Sequence, residues 1–286
     1  MNNKILYSPK EADQKLRSGA AILVDVRDAE DFEKGHISGA VNIPEMFTTL
    51  SMTTPDGLQE MQDILIPLFR NAGIRHDKTV IVYEDCLNTR YGGSCRGYFQ
   101  LRLFGHKAVG ILDGGLSQWL QDGFFVTSEP TQTTVSDFEP CMQKDFLATL
   151  DDIVNAIENN SGVKLLDNRD EDEWRGISSS PYGADFAPRK GRIPGAHWVE
   201  WYKFMDTSQQ IPHFKSGKEV RALCAQAELN VNDDIIIYCF KGARASNTYI
   251  ALKMAGFNKI RNYYGSWNEW SRHPELPIDE EILAPA

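Results

Sequence analysis

Cys239 is the residue of this chain best placed to act as a nucleophile. It directly follows the apolar run Ile235 to Tyr238, and Lys241, Gly242 and Arg244 come within the next five residues. A helix N-terminus and neighbouring cations lower the pKa of a cysteine from about 8.5 to roughly 3.5–7.5, which favours the thiolate. The sequence therefore predicts a thiolate able to attack a small molecule, beside donors that could hold the atom it receives.

The residues on either side of Cys239 predict how the thiol is positioned. Ile235 to Tyr238 is typical of a buried parallel strand, and Ala245 to Ala255 shows helical spacing. Gly242 permits the tight turn between them, so that successive backbone N–H groups can point at one small anion above the helix N-terminus. We therefore expect the sulfur to be reachable from solvent, with the loop amides turned towards it.

The alternative for Cys239 is a structural role, because a cysteine after an apolar strand is more often buried and inert. Two cations and a glycine close behind it favour the catalytic interpretation. The cysteine total is odd and shows no C-x-x-C pairing, so neither a disulfide framework nor a metal site is indicated. The cysteines are Cys86, Cys95, Cys141, Cys224 and Cys239.

Length, charge and composition restrict the class of protein. With 286 residues, of which 42% are hydrophobic, a soluble protein of two domains is expected. A net charge of −10 argues against a nucleic-acid partner, because phosphate contacts need clustered cations. No run is long enough to span a membrane and Met1 to Tyr7 lacks the apolar core of a signal peptide, which predicts a cytoplasmic protein with no membrane partner.

The chain contains an internal duplication. Asp25-Val26-Arg27 and the turn Gly35 to Ala40 reappear as Asp167-Asn168-Arg169 and the turn Gly191 to Ala196. Strands alternate with helices in both halves, which predicts an α/β fold of two tandem domains, each a parallel sheet flanked by helices. We place the domains at 1–126 and 146–286, joined by a linker at 127–145 that is rich in Thr, Ser and Pro.

The first half lacks a nucleophile at the position that corresponds to Cys239. Glu84 stands there, directly after the strand that ends at Tyr83, so we expect the first domain to be catalytically inactive. Cys86 is an alternative, displaced nucleophile. It lacks both the position at the strand end and the compact spacing of cations, and we regard it as the weaker candidate.

The Cys239 loop, with four residues between the cysteine and Arg244, resembles the persulfide loop of the rhodanese family of sulfurtransferases. Phosphatases that share the rhodanese-like fold have a loop one residue longer, which forms a wider ring that fits phosphate. The resemblance covers nearly the whole chain and includes Gly265 to Trp270. It implies a tandem-domain sulfurtransferase of bacterial type, with an inactive first domain and a catalytic second one.

The resemblance implies a ping-pong reaction. The Cys239 thiolate attacks the outer sulfur of a small anionic donor, sulfite or pyruvate leaves, and a Cys239 persulfide remains. Cyanide in the assay, or a thiol or thioredoxin-like acceptor in the cell, then takes the sulfur. No metal or organic cofactor is implied, because the persulfide itself stores the transferred atom. The residues expected to cradle the substrate are Phe240, Lys241, Gly242, Ala243, Arg244 and Ala245.

The choice of donor is indicated by Lys241. In the family, a cation at the second position after the cysteine goes with thiosulfate, whereas a small Gly-Ser pair goes with 3-mercaptopyruvate. Glu173 departs from the animal enzymes, which carry a donor-contacting arginine at that position. We therefore predict thiosulfate, with 3-mercaptopyruvate as the alternative and a rhodanese-fold phosphatase or non-catalytic sulfur carrier as more distant ones.

Asp167, Arg169 and Arg192 are the predicted supporting residues. Asp167 and Arg169 are expected to form an ion pair that supports the loop, and the weaker alternative for Asp167 is a proton-transfer acid. Arg192 stands where the first half has His36, and it either adds charge near the donor or serves the turn.

The second half also contains an insertion, 177–190, and a pair of tryptophans. The insertion is rich in Ser, Pro and Gly and could shape a substrate entrance through Tyr182, Arg189 or Lys190, or be a plain surface loop. Trp267 and Trp270 fall on one helical face, which predicts that they pack in the core.

Overall fold

The structure, a computed structural model, describes residues 4–89, 91–159 and 161–284. By its internal contacts the chain forms two compact units. The first comprises Met1–Thr49, Gln59–Gln143 and Thr207–His213, and the second comprises Leu50–Leu58, Lys144–Asp206 and Phe214–Ala286. Each unit therefore also contains one short segment from the half of the sequence that mainly builds the other.

The first unit is built on a parallel sheet. The elements of the first half are β1 Leu6–Tyr7, α1 Pro9–Arg17, β2 Ala21–Asp25, α2 Ala29–Lys34, β3 His36–Ile37, β4 Val41–Asn42, α3 Glu45–Thr48, α4 Pro55–Asn71, β5 Thr79–Tyr83, α5 Gly93–Leu103, β6 Val109–Leu112, α6 Gly115–Gln121 and β7 Val126–Thr127. The sheet has the order β1-β6-β5-β2-β4, and its paired strands run parallel. The five residues of the central strand β5 are all buried, as expected for a strand covered on both faces.

The second unit repeats this design. The elements of the second half are β8 Leu147–Ala148, α7 Leu150–Glu158, β9 Lys164–Asp167, α8 Glu171–Trp174, β10 His197–Trp198, β11 Met205–Asp206, β12 His213–Phe214, α9 Gly217–Gln226, β13 Ile235–Tyr238, α10 Ala243–Met254, β14 Ile260–Tyr263 and α11 Ser266–Trp270. Two 3-10 turns lie at Lys144–Phe146 and Trp201–Phe204. The parallel sheet has the order β10-β9-β13-β14-β8, which is the order of the first sheet counted from the opposite edge. The predicted α/β fold is confirmed.

The segment predicted as a linker, 127–145, lies mostly within the first unit, which extends to Gln143. Residues 128–143, all of which the structure describes, contain no helix or strand. Phe138 is nevertheless buried, and its ring centroid lies 5.8 Å from that of Phe69. The segment is thus extended, as its composition predicts, but it packs against the unit that precedes it.

The strand β13 positions the predicted nucleophile. It lies between β9 and β14 and its four residues are fully buried, as expected for an apolar run in the middle of a parallel sheet. Helix α10 begins at Ala243, two residues before the predicted start. Trp267 and Trp270 belong to the core beneath, as predicted. Cys239 therefore stands at the carboxyl end of a central strand, where open α/β sheets bind their ligands.

Candidate active site

Cys239 lies in the loop that joins β13 to α10. Its sulfur accepts a hydrogen bond from the backbone N–H of Gly242 at 3.0 Å, and the hydroxyl of Ser266 lies 3.9 Å from it. The backbone N–H of Cys239 itself donates to the same hydroxyl oxygen at 3.1 Å. A main-chain donor at the start of a helix is thus aimed at the sulfur, where it stabilises negative charge.

The loop is held from both sides by backbone hydrogen bonds. The carbonyls of Cys239 and Phe240 accept the N–H groups of Trp267 and Asn268 at 3.0 and 2.9 Å. The carbonyl of Gly242 accepts the hydroxyl of Ser246 at 2.6 Å. These bonds tie the loop to α11 on one side and to the first turn of α10 on the other.

Burial of Cys239 differs from the sequence expectation. The residue is only 1% exposed and its neighbour Phe240 is 2% exposed, so the predicted open sulfur is not observed. The apolar strand and the aromatic residue after the cysteine place the thiol below the surface of the unit. The sulfur is therefore covered by the residues around it.

The conformation of Gly242 explains why a glycine is needed in the loop. Its φ is +85°, in the left-handed region, and a Cβ there would lie 2.9 Å from a ring carbon of Tyr264 and 3.0 Å from the carbonyl oxygen of Tyr264. We expect Gly242→Ala to cost roughly 1–3 kcal/mol of backbone strain. We expect relief of that strain to turn the N–H from the sulfur, so kcat for the reaction at Cys239 should fall about 10–100-fold.

Gly256→Ala is the matched control for Gly242→Ala. Gly256 has a similar φ of +93°, but a Cβ added there meets nothing within 4 Å. Both variants carry the strain of a left-handed alanine, and only one disturbs the amide that faces the sulfur. Equal rates of reaction at Cys239 in the two variants would contradict the role given to the Gly242 amide.

Arg244 is paired with carboxylates. Its guanidinium donates to both oxygens of Glu173 at 2.6 and 3.0 Å and lies 3.0 Å from a carboxylate oxygen of Asp170. Burial alone would lower the pKa of Arg244, but Glu173, Asp170 and Cys239 more than offset it and raise the pKa well above its ordinary value. The arginine remains charged, and its charge is balanced by the two carboxylates at the start of α8.

Sequence reasoning missed the role of this acidic pair. Asp170 and Glu173 form a capping box at the N-terminus of α8, and the spacing of an aspartate and a glutamate three residues apart could have signalled that helix start. No local pattern indicates that their partner is Arg244, which lies 71 residues from Glu173 in the sequence.

Lys241 meets a residue of the insertion. Its ammonium lies 5.1 Å from the ring centroid of Tyr182, and that ring lies 5.2 Å from the ring of Phe240. The insertion 177–190 therefore reaches the loop through Tyr182. Arg189 instead donates to backbone carbonyls, among them those of Trp270 and Leu276, so its contacts are structural.

The predicted ion pair of Asp167 and Arg169 is present at the end of β9. The shortest distance between the two groups is 2.6 Å and both side chains are fully buried. Arg169 also donates to the carbonyl of Gly191 at 2.8 Å and lies 4.3 Å from the ring centroid of Trp267. The pair joins β9 to the 191–196 turn and to α11, the helix whose first residue, Ser266, contacts the Cys239 sulfur.

Arg192 points towards the C-terminal segment. Its guanidinium donates to the carbonyl of Glu281 at 3.0 Å and lies 5.1 Å from the ring centroid of Trp174. Its backbone forms a bridge with Asp279. Of the two interpretations given to Arg192 above, these contacts match the one in which it serves the turn.

Glu84 occupies the corresponding loop of the first unit. Its buried carboxylate accepts hydrogen bonds from the N–H of Ser94 at 2.9 Å, from the hydroxyl of Ser94 at 2.6 Å and from the N–H of Gly93 at 3.3 Å. The backbone N–H groups at the start of α5 thus already donate hydrogen bonds to a side chain of the same unit. Burial also raises the pKa of Cys86, which disfavours its thiolate.

Two further properties bear on the class of site. Within residues 4–89, 91–159 and 161–284, no three His, Cys, Asp or Glu side chains are grouped so that they could hold a metal ion. Over the same ranges, none of the helices combines the length and the apolar character that a membrane crossing requires.

Comparison with known proteins gives the family. The rhodanese-like domain family matches residues 8–122 and 149–273. The thiosulfate sulfurtransferase of Azotobacter vinelandii is 27% identical over 284 residues, covering 96% of this chain and 97% of its own. A sulfur carrier protein of Thermus thermophilus, TtuD, is 30% identical over 254 residues, covering 86% of both chains.

A solved structure shares the fold. The anaerobic ergothioneine biosynthesis enzyme from Chlorobium limicola superposes with a TM-score of 0.80 at 20% identity, over 97% of this chain and 70% of its own. The chain belongs to the rhodanese-like domain family, with one domain in each half. Within that family it is a rhodanese-type sulfurtransferase.

Proposed function

We propose that this protein transfers the outer sulfur of thiosulfate to a thiophilic acceptor through a persulfide on Cys239. The observation that carries the proposal is the hydrogen bond of 3.0 Å from the Gly242 N–H to the Cys239 sulfur, at the carboxyl end of β13. A thiol with a main-chain donor aimed at it is arranged to hold negative charge on sulfur.

In the first half-reaction the Cys239 thiolate attacks the outer sulfur of thiosulfate. A bond forms between the two sulfurs, the sulfur–sulfur bond of thiosulfate breaks, and its electron pair leaves with sulfite. The enzyme is left as an anionic persulfide. The loop amides from Phe240 to Ala245 are the proposed donors to its terminal sulfur, so that neither a metal nor an organic cofactor is required.

In the second half-reaction the acceptor attacks the terminal sulfur of the persulfide. Its electron pair forms the new bond, the sulfur–sulfur bond of the persulfide breaks, and the Cys239 thiolate is regenerated. Cyanide is the acceptor in an assay and yields thiocyanate. A thiol or a thioredoxin-like protein is the proposed acceptor in the cell.

The proposed preference for thiosulfate rests on Lys241. Thiosulfate is a dianion, and an ammonium on the active-site loop stabilises it more than it stabilises the single carboxylate of 3-mercaptopyruvate. Glu173 stands where the animal enzymes carry a donor-contacting arginine, and here it is an acid paired with Arg244. The Azotobacter vinelandii relative, a thiosulfate sulfurtransferase by name, supports the same preference.

The first domain is proposed to be inactive. The carboxylate of Glu84 takes the hydrogen bonds of Gly93 and Ser94 that a donor anion would otherwise use. A negative charge already bound at the helix start repels a second anion.

The proposal is tested by mass spectrometry. The protein is reduced first and then incubated with thiosulfate, and its mass is measured. We expect a mass increase of one sulfur atom, which cyanide removes with formation of an equal amount of thiocyanate. A steady-state comparison with 3-mercaptopyruvate then ranks the two donors. Absence of a persulfide with either donor would overturn the proposal, and hydrolysis of phosphate esters faster than thiocyanate formation would favour a phosphatase.

A sulfur carrier is the second candidate. The likeness to a relative named as a sulfur carrier protein favours it. A carrier would receive sulfur from a protein persulfide and remain unmodified by thiosulfate and by 3-mercaptopyruvate. The same mass measurement therefore distinguishes the two functions.

Lys241→Ser is expected to raise KM for thiosulfate about 3–10-fold, a moderate effect because a partly exposed charge is screened by solvent. KM for 3-mercaptopyruvate should change less, since that donor carries one charge. Steady-state kinetics with both donors is the measurement. Lys253→Ser removes the same charge from the exposed last turn of α10 and serves as the control. If Lys241→Ser leaves the ratio of the two KM values unchanged, Lys241 does not select between the two sulfur donors.

A further inference from the structure

The insertion 177–190 places one aromatic side chain against the active-site loop. The ring centroid of Tyr182 lies 5.2 Å from that of Phe240 and 5.1 Å from the ammonium of Lys241. Phe240 and Lys241 are the two residues that directly follow Cys239. Tyr182 therefore touches the loop at the first two positions after the nucleophile.

Exposure increases from the nucleophile outwards. Cys239 and Phe240 are 1% and 2% exposed, whereas Tyr182 is 40% exposed. The tyrosine ring thus packs on the loop with one side and faces solvent with the other. A ring in this position is part of the cover that a donor has to pass.

The base of the insertion is fixed by hydrogen bonds to α11 and to the residues that follow it. At the base, Arg189 donates to the carbonyls of Trp270, Ser271 and Leu276 at 2.9 to 3.1 Å, and also to that of His273. The indole N–H of Trp267 donates to the Arg189 carbonyl at 3.0 Å.

Around Tyr182 the insertion also forms short-range hydrogen bonds. The N–H of Tyr182 donates to the hydroxyl of Ser180, and that hydroxyl donates to the carbonyl of Gly183. On the C-terminal side of Tyr182, the carbonyl of Phe186 accepts a hydrogen bond from the guanidinium of Arg272 at 2.8 Å.

The contact with Lys241 differs in kind from the pairing of Arg244. Glu173 and Asp170 hold Arg244 with carboxylates, so they balance its charge as they fix it. An aromatic face holds an ammonium by its quadrupole and brings no net negative charge of its own. Tyr182 can therefore orient the lysine without adding a group that repels an anionic donor.

We propose that Tyr182 is a positioning residue that sets donor selection, by holding the Lys241 ammonium at the active-site loop, and that its ring covers the Cys239 loop so that reagents reach the sulfur only when the ring moves aside. This inference rests on the proposed function and deepens it. The ammonium held in this way favours thiosulfate, a dianion, over 3-mercaptopyruvate, which carries a single negative charge.

Substitution of Tyr182 separates its two effects. Tyr182→Phe keeps the ring, so both the position of Lys241 and the cover should be retained. Tyr182→Ala removes the ring, and we expect KM for thiosulfate to rise about 3–5-fold, in keeping with a partly exposed cation–π contact. The ratio of kcat/KM for 3-mercaptopyruvate to that for thiosulfate should rise with it.

The rate at which iodoacetamide alkylates Cys239 measures how well the Tyr182 ring covers the loop. This measurement does not depend on sulfur transfer. The site of modification is identified by peptide mass spectrometry. Tyr182→Ala should react several-fold faster than the parent protein and Tyr182→Phe at the parent rate. Because this measurement needs no donor, it supports or overturns the cover even if the protein proves not to use thiosulfate.

Phe186→Ala is the matched control. Phe186 lies on the same insertion, its ring packs on that of Tyr182 at 5.7 Å, and its exposure of 43% is close to the 40% of Tyr182. It should leave both KM and alkylation near the parent values. Tyr182→Ala with the same alkylation rate and the same donor ratio as Phe186→Ala would overturn the proposal.

A double variant tests whether Tyr182 acts through Lys241. In a Lys241→Ser background, Tyr182→Ala should raise alkylation of Cys239 but cause no further rise in KM for thiosulfate. A full additional rise in KM in that background would overturn the positioning role.

Discussion

Replacing Cys239 by serine is expected to lower kcat/KM for sulfur transfer by at least 10³-fold, an order-of-magnitude figure for loss of a catalytic nucleophile. A serine hydroxyl is not ionised at neutral pH and cannot store sulfur as a persulfide. The change is nearly isosteric and keeps the hydrogen bond from the Gly242 N–H available to an oxygen. Thiocyanate formation from thiosulfate and cyanide is the measurement, together with the absence of the persulfide mass.

Cys86→Ser is the control for the Cys239 variant. Cys86 is the cysteine that could be argued as a displaced nucleophile in the first domain, and burial raises the pKa of its thiol. Its substitution should leave both persulfide formation and thiocyanate formation intact. Loss of activity in the Cys86→Ser protein would show that Cys239 is not the nucleophile. Persulfide formation in the Cys239→Ser protein would show the same.

Arg169→Met is expected to destabilise the second unit by about 3–5 kcal/mol, because it leaves the carboxylate of Asp167 buried without its partner. Both side chains of the pair are fully buried, with a closest distance of 2.6 Å. The change also removes the bond to the Gly191 carbonyl and the stacking on Trp267. The loss of stability is measured by urea unfolding, with tryptophan fluorescence as the signal, since five of the six tryptophans belong to the second unit.

Two further variants identify the cause of the lost stability. Asp167→Asn combined with Arg169→Met removes both charges, and it should recover part of the stability that the single change loses. Arg27→Met breaks the corresponding pair with Asp25 in the first unit and should barely move the tryptophan transition. An Arg169→Met protein within about 1 kcal/mol of the parent would show that Asp167 is better solvated than its burial indicates.

Local patterns in the sequence predict the fold and the identity of the nucleophile. The apolar run at 235–238 becomes the central strand β13, because three consecutive isoleucines and a tyrosine are most stable where both faces of a sheet are covered. The repeated Asp-x-Arg segments become two buried ion pairs of the same geometry. These features depend on residues close together in the chain, whose types and spacing are visible without the fold.

The partners of the loop are decided only by the tertiary structure. Glu173 pairs with Arg244, the ring of Tyr182 lies on Phe240 and Lys241, and the Cys239 sulfur is covered. The contacts of Glu173 and of Tyr182 join residues more than fifty positions apart, so neither periodicity nor a local motif encodes them.

The sequence by itself determined the α/β duplication, the single strand-end cysteine and the length of its loop, because these follow from hydrophobic period, residue type and spacing. Tertiary structure decided that carboxylates pair with Arg244 and that the ring of Tyr182 lies against Lys241. The physical reason is that charge compensation and burial depend on what the packed chain brings within a few ångströms of a group. Those neighbours belong to the acidic start of α8 and to the insertion 177–190. No local pattern in the sequence shows what either segment contacts.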